Sequence, residues 1–117
     1  MKNIIETISK YVGAWDEKTP EAVKAAFQEC CAAEITYTDK NTPPLHGIDA
    51  LRDLVMSSHA KFPGRTFSVL TQPEYFDNQC YYSWGVTFPG KEEIAGRDFI
   101  EYNGEGLITR IVGFLPV

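Results

Sequence analysis

Hydrophobic residues in the first half of the chain recur at the spacing of amphipathic helices, and three helices are predicted there. The second begins at Thr19, a hydroxyl N-cap followed by proline and an acidic residue. The third runs from about 48 to 62 and ends at Pro63 and Gly64. The first helix carries a single apolar stripe, formed by Ile4, Ile5, Ile8, Tyr11, Val12 and Trp15.

Alternation of apolar and polar residues predicts strands in the second half of the chain. One further strand, 34–39, is predicted before the third helix and is followed by a proline-containing loop, 40–47. The first strand after the helices is expected to be interrupted near Pro73. The four strands predicted after the helices, separated by turns rich in Pro, Gly and Asn, are 65–76, 80–88, 93–102 and 107–115.

Helices followed by an antiparallel meander are typical of the α+β class. We therefore expect one domain over residues 1–117, a cone in which N-terminal helices pack on a strongly curved, mostly antiparallel sheet. Long twisted strands must curve to cover a helical hairpin, and the concave side of such a sheet becomes a cavity.

Composition excludes several classes of function. The chain has 16 acidic and 11 basic residues and a net charge of −5, which argues against a nucleic-acid partner or an anionic membrane surface. The N-terminus is too polar for a signal peptide, and no apolar run could cross a bilayer. Three cysteines without regular spacing predict a cytoplasmic protein without disulfides. No Cys/His cluster has metal-ligand spacing, so no metal site is expected.

Asp98 is the strongest candidate for chemistry. Period-two alternation places it on one strand face with Gly96 and Ile100, and Arg97 on the other face. If that face lines the cavity, burial raises the pKa of Asp98, and a neutral carboxylic acid can donate a hydrogen bond to an oxyanion. Gly96 would then leave room for a ligand. The alternative is a solvated aspartate that pairs with Arg97 or caps a strand end.

Asp39 is the second candidate. It ends a strand on the face of Ile35 and Tyr37, and at a cavity mouth it would be hydrated and ionised, which suits a general base. Two carboxyl groups in different environments could divide acid and base roles. The alternative is an aspartate that merely caps the following turn.

Other side chains could complete the pocket. Tyr11 could donate beside Asp98, or could be an ordinary core tyrosine. Aromatic residues of one strand could stack on a planar apolar ligand, or fill the core or a dimer interface. The candidate ligand contacts are Trp84, Tyr82, Val55, His59 and Ile100.

The order of elements, the stretch Gly96-Arg97-Asp98-Phe99 before Asn103-Gly104, and the ending Ile111-Val112-Gly113-Phe114 resemble the SnoaL-like branch of the nuclear-transport-factor-2-like superfamily. The resemblance covers nearly the whole chain. It implies the fold more strongly than a reaction, because isomerases, cyclases, dehydratases, hydrolases and non-catalytic binders share this fold.

Within that superfamily the chain is similar to bacterial steroid Δ5-3-ketoisomerases. The resemblance implies that Tyr11 and a protonated Asp98 form an oxyanion hole, that Asp39 shuttles the proton, and that no cofactor is needed. It also implies a homodimer. Two departures are Lys40 directly after the base and Arg97 directly before Asp98. The expected functions are therefore proton transfer on a small apolar carbonyl compound, non-catalytic binding of a similar ligand, or an interaction domain.

Overall fold

In the part of the chain that the structure describes, three helices pack on one face of a mixed, mostly antiparallel sheet that is not closed. The computed structural model describes residues 3–116. The strand order is β2-β1-β7-β6-β5-β3, with β4 paired to β5. The elements are α1 (Ile4–Ala14), α2 (Pro20–Cys30), β1 (Cys31–Asp39), β2 (Thr42–His46), α3 (Ile48–Lys61), β3 (Thr66–Val69), β4 (Glu74–Phe76), β5 (Gln79–Thr87), β6 (Ile94–Tyr102) and β7 (Ile108–Phe114). This confirms the predicted fold class.

The helices begin where side chains can satisfy their free backbone N–H groups. Asn3 Oδ1 accepts from the N–H groups of Ile5 and Glu6 at the start of α1. Thr19 Oγ1 accepts from the N–H of Ala22, at 3.2 Å, at the predicted start of α2. Such caps are worth about 1 kcal/mol each, so they fix the ends of helices that tertiary packing stabilises.

The predicted loop 40–47 is wrong in part, because Thr42–His46 forms strand β2. Two prolines in a row argue against a central strand, but β2 lies at the edge of the sheet, where a missing N–H can face away from the partner. β1 also begins earlier than predicted, at Cys31, directly after α2.

The expected interruption near Pro73 divides the next strand into β3 and β4. Asp77 and Asn78, both with positive φ (50° and 61°), form the tight turn into β5. Such a turn suits the right-handed twist of a hairpin. Strands β5, β6 and β7 then pair consecutively and antiparallel, as predicted, while β1 joins β7 in parallel.

The core lies between the helices and the concave face of the sheet. Among its fully buried side chains are Ile8, Phe27, Val55, Ile100 and Ile111. The core continues into the wall of a cavity, because Tyr11 and Trp84 belong to both. No helix among residues 3–116 is both long enough and apolar enough to span a bilayer.

Candidate functional site

A cavity of about 530 Å³ opens between α1, α3 and the sheet. Its wall is mostly aromatic and aliphatic, with a few convergent polar groups, which is the usual character of a small-molecule site. The lining residues include Tyr11, Trp15, Tyr37, Asp39, Lys40, Ser57, Ser58, Lys61, Phe67, Trp84 and Asp98.

Asp98 lies in the cavity wall, and only 6% of its surface is exposed. Both carboxylate oxygens accept hydrogen bonds from β5: the Tyr82 hydroxyl donates to Oδ2 (2.6 Å), and Trp84 Nε1 donates to Oδ1 (3.0 Å). Burial raises the pKa of Asp98 to about 6; the two hydrogen bonds oppose this rise, and the nearby Asp39 adds to it. A buried carboxyl group that titrates near physiological pH is typical of a functional site.

The strand register explains how Asp98 meets these donors. Tyr82 lies directly opposite Asp98 in the β5–β6 ladder, and Trp84 lies opposite Gly96. Gly96 does not leave room for a ligand as predicted, because the indole of Trp84 occupies that space. A Cβ added at Gly96 would lie 2.3 Å from Trp84 Cζ2. The glycine instead lets the indole lie flat and aim its N–H at Asp98.

Asp39 forms a second polar unit at the end of β1. Tyr37, two residues earlier on the same face, donates its hydroxyl to Asp39 Oδ2 (2.6 Å), and the N–H of Asn41 donates to Oδ1 (2.8 Å). The Asn41 contact is the turn-capping bond that sequence reasoning offered as the alternative. Asp39 also lines the cavity, so it can both cap the turn and face a ligand.

Gly113 on β7 allows the two acids to approach each other. A Cβ built at Gly113 would lie 3.2 Å from the Tyr37 hydroxyl oxygen, 3.5 Å from Asp98 Oδ1 and 3.6 Å from Asp39 Cβ. A side chain at this position would therefore press on the Tyr37 hydroxyl and contact both acids. The structure brings Asp39 and Asp98 into one site, as the predicted site requires.

Tyr11 reaches the same site from α1 and is 2% exposed. Burial raises its pKa well above the usual value for tyrosine, and the nearby Asp98 and Tyr37 raise it further. The Trp15 side chain acts in the opposite direction. A tyrosine that stays neutral keeps its hydroxyl proton and can donate it in a hydrogen bond.

Of the five candidate ligand contacts, only Trp84 lies in the cavity wall. Tyr82 is behind Asp98 and orients it. Val55 and Ile100 are fully buried in the core. The ring of His59 contacts the carbonyl oxygen of Glu17 through Nε2 at 2.7 Å. These four residues therefore do not line the cavity, and the cavity offers no support for their predicted contacts with a ligand.

Arg97 and Lys40, the two departures from the ketoisomerase pattern, are both exposed. Arg97 is exposed on the other face of β6, where its guanidinium lies 5.6 Å from the centroid of the Phe114 ring. It therefore does not pair with Asp98 inside the cavity. Lys40 is exposed at the cavity edge. Within residues 3–116 no three His, Cys, Asp or Glu side chains cluster closely enough to hold a metal ion.

Sequence reasoning did not identify Tyr37, Trp15 and Ser58 as cavity-lining residues, or Arg65 as the residue that binds Ser58. Tyr37 had a usable signal, because it precedes Asp39 by two residues on the same strand face. Trp15 also had one, since it follows Tyr11 by one helical turn. The Ser58 and Arg65 pair had none, because their contact forms only when the end of α3 folds back on the start of β3.

Comparison with known proteins agrees with this architecture. A family model described as SnoaL-like domain matches residues 8–111. A SnoaL-like family protein of Agrobacterium tumefaciens, described as a candidate isomerase, superposes with a TM-score of 0.88 at 25% identity, covering 100% of both chains. A comparison with curated protein sequences gives no match.

Two further solved structures share the fold at lower identity. A Catenulispora acidiphila protein with a ketosteroid isomerase-like fold, bound to trimethylamine, has a TM-score of 0.76 at 16% identity over 96% of this chain and 86% of its own. A candidate SnoaL-like polyketide cyclase from a Jannaschia species has a TM-score of 0.73 at 10% identity, covering 97% and 89%.

Proposed function

Because this chain belongs to the SnoaL-like domain family, we propose that it is an enzyme that moves a proton next to the carbonyl group of a small, largely apolar compound. Isomerisation or cyclisation would both begin with this step. The observation that carries the proposal is the buried carboxyl group of Asp98, held in the wall of an apolar cavity with a pKa of about 6.

Asp98 is the group that takes the proton in this proposal. Each of its oxygens accepts one hydrogen bond from β5, so each keeps one lone pair for a substrate proton. At neutral pH a carboxyl group with a pKa near 6 is mostly ionised, yet basic enough to abstract a proton from carbon. This assignment reverses the roles that sequence reasoning gave to the two acids.

Tyr11 stabilises the enolate oxygen that forms when the proton leaves. Its raised pKa keeps it a neutral hydroxyl that can donate a hydrogen bond. A donor aimed at a developing oxyanion is commonly worth about 100-fold in rate.

Asp39 supports Asp98 rather than replacing it. Its Oδ1 caps the turn at Asn41, and its charge contributes to the raised pKa of Asp98. A nearby negative charge disfavours ionisation of a buried carboxyl group, so the outer acid tunes the inner one.

The test is exchange of carbon-bound hydrogen for deuterium in heavy water, followed by NMR, with α-tetralone as a ring ketone that fits a cavity of this size. We expect Asp98→Asn to lower the catalysed rate by about 100-fold or more and Asp39→Asn by about tenfold at most. Tyr11→Phe should lower it by roughly 100-fold.

The opposite ranking of the two aspartate variants would restore Asp39 as the base. If the wild-type protein binds α-tetralone without any exchange, the protein is a ligand-binding module of the same fold. These outcomes separate the proposed enzyme from the alternative of a non-catalytic pocket.

We also propose that the protein is a homodimer that works in the cytoplasm. On the face of the sheet away from the helices, Tyr81, Phe99 and Val112 form one row across three strands, and Tyr81 is 40% exposed. A contiguous apolar row of this kind is typical of an interaction surface. All three cysteines are free thiols, which suits a reducing compartment. Sedimentation of Phe99→Glu beside the wild type tests the dimer.

A further inference from the structure

Behind the α3 side of the cavity wall lies an arginine that the proposed chemistry does not use. Arg65 is 3% exposed. Its Nε donates to Ser58 Oγ (2.9 Å) and its Nη1 donates to the carbonyl oxygen of Trp15 (2.6 Å). Its guanidinium carbon also lies 4.9 Å from the centroid of the Phe67 ring. All three of these neighbours line the cavity.

The charge of Arg65 is only partly matched within the protein. Asp16 is 3.6 Å from Nη1, but this carboxylate also accepts from the backbone N–H of Phe67 and is half-buried. Among the residues that the structure describes, the buried Nη2 has no hydrogen-bond partner. Burial lowers the pKa of Arg65 from its usual value, although Asp16 opposes this. A buried cation with a spare donor favours a nearby acceptor or anion.

Ser58 carries this polarity into the cavity. Because its oxygen accepts from a guanidinium, the Ser58 hydroxyl proton must point elsewhere, and the residue lines the cavity. The other polar groups on this side, Ser57 and Lys61, also belong to the last turns of α3. This side of the cavity therefore offers hydrogen-bond donors and the positive charge of Lys61, whereas the other side holds the two acids together with Lys40.

Aromatic rings separate the two polar sides. The Phe67 ring contacts Arg65, and its centroid is 5.6 Å from that of Trp84, whose indole binds Asp98. A ligand with an apolar body would lie along these rings. Its reacting carbonyl would face Tyr11 and Asp98, and a second group would face the donors of α3.

We propose that Ser58, positioned and polarised by Arg65, is an anchor for a carboxylate, and that the substrate is an apolar carbonyl compound that carries a carboxylate at its far end. The proposal rests on the proposed function for the position of the carbonyl group. Ser58 determines specificity by touching the ligand, and Arg65 is a positioning residue that acts through it.

The test is calorimetric titration with three probes of nearly equal shape: β-naphthol, the hydroxynaphthoate with a carboxylate on the second ring, and the methyl ester of that hydroxynaphthoate. The wild type should bind the acid about tenfold more tightly than the ester. Ser58→Ala should reduce this ratio to about one, and Ser58→Thr, which keeps the hydroxyl, should preserve it. Ser9→Ala, an exposed change on α1, is the matched control and should behave as the wild type.

A ratio of acid to ester affinity cancels any general effect of a variant on folding. Equal affinity of the wild type for acid and ester would overturn the anchor. A ratio that survives in Ser58→Ala but vanishes in Lys61→Gln would also overturn the anchor, because the carboxylate would then bind Lys61 and not Ser58. Binding of β-naphthol tests the pocket itself, so a failed anchor and a failed pocket give different results.

Discussion

Replacing Asp98 by asparagine should make the protein more stable than the wild type above about pH 6. Burial raises the pKa of Asp98 in the folded protein from 3.8 to about 6, so the folded state binds the proton more tightly than the unfolded state does. The stabilisation from that proton is complete below the unfolded pKa and is lost as pH rises through the folded pKa. At neutral pH the buried carboxylate of the wild type therefore lowers the stability of the folded state, and the uncharged amide of the variant does not.

The size of the effect follows from the shift. A difference of roughly two pKa units corresponds to about 3 kcal/mol, since each unit is worth about 1.4 kcal/mol. An asparagine can keep both local contacts: Trp84 Nε1 still donates to its oxygen, and the Tyr82 hydroxyl can turn to accept from its nitrogen. The difference in unfolding free energy between the variant and the wild type should thus grow by about 3 kcal/mol in favour of the variant from about pH 4 to about pH 8.

Urea unfolding at a series of pH values, followed by circular dichroism, measures this difference directly. Asp53→Asn is the control, because it removes the same charge from an exposed position on α3, with 70% of the side chain accessible. Its stability should follow the wild type in parallel across the series. If the curves of Asp98→Asn and the wild type also run in parallel, Asp98 has an ordinary pKa and the reasoning about its burial is wrong.

Two further expectations concern the contacts around Asp98. Trp84→Phe keeps a ring but removes the hydrogen bond that lowers the pKa of Asp98, so the titration of the Asp98 carboxyl carbon in NMR spectra should move to higher pH, and an unchanged midpoint would contradict this role. Gly96→Ala should cost about 1–3 kcal/mol of stability in thermal unfolding, since the new Cβ would overlap the Trp84 indole. Gly104→Ala, with no atom within 4 Å of its Cβ, should cost far less, and equal losses would refute the packing argument.

The order of elements was predictable because local signals agree with the tertiary packing. The apolar stripe of α1, the capped start of α2 and the alternation along β6 each depend on neighbours within a few residues. Strand β2 was missed because its prolines argue against a strand unless the strand lies at a sheet edge, and edge position is a property of the whole sheet. The parallel pairing of β1 with β7 joins residues at opposite ends of the chain, so no local pattern could indicate it.

The candidate site was predictable in its two acids, in Tyr11 and in Trp84. Alternation placed Asp98 on the inner face, and the structure buries it there. Its protonation was harder to predict, because it depends on donors from a neighbouring strand. Tyr82 and Trp84 are more than a dozen residues away in sequence and meet Asp98 only through the β5–β6 register. The same register fills the space above Gly96 that sequence reasoning left for a ligand.

The pH dependence of deuterium exchange into α-tetralone tests the central claim most directly, because it reports which form of Asp98 is active. If Asp98 takes the proton, the rate should rise with pH, pass through half of its maximum at about pH 6, and then stay level. The Asp98→Asn variant should lack this transition. A rate that instead falls as pH rises through 6 would show that the protonated acid is the active form, and Asp98 would then be a hydrogen-bond donor and not the base.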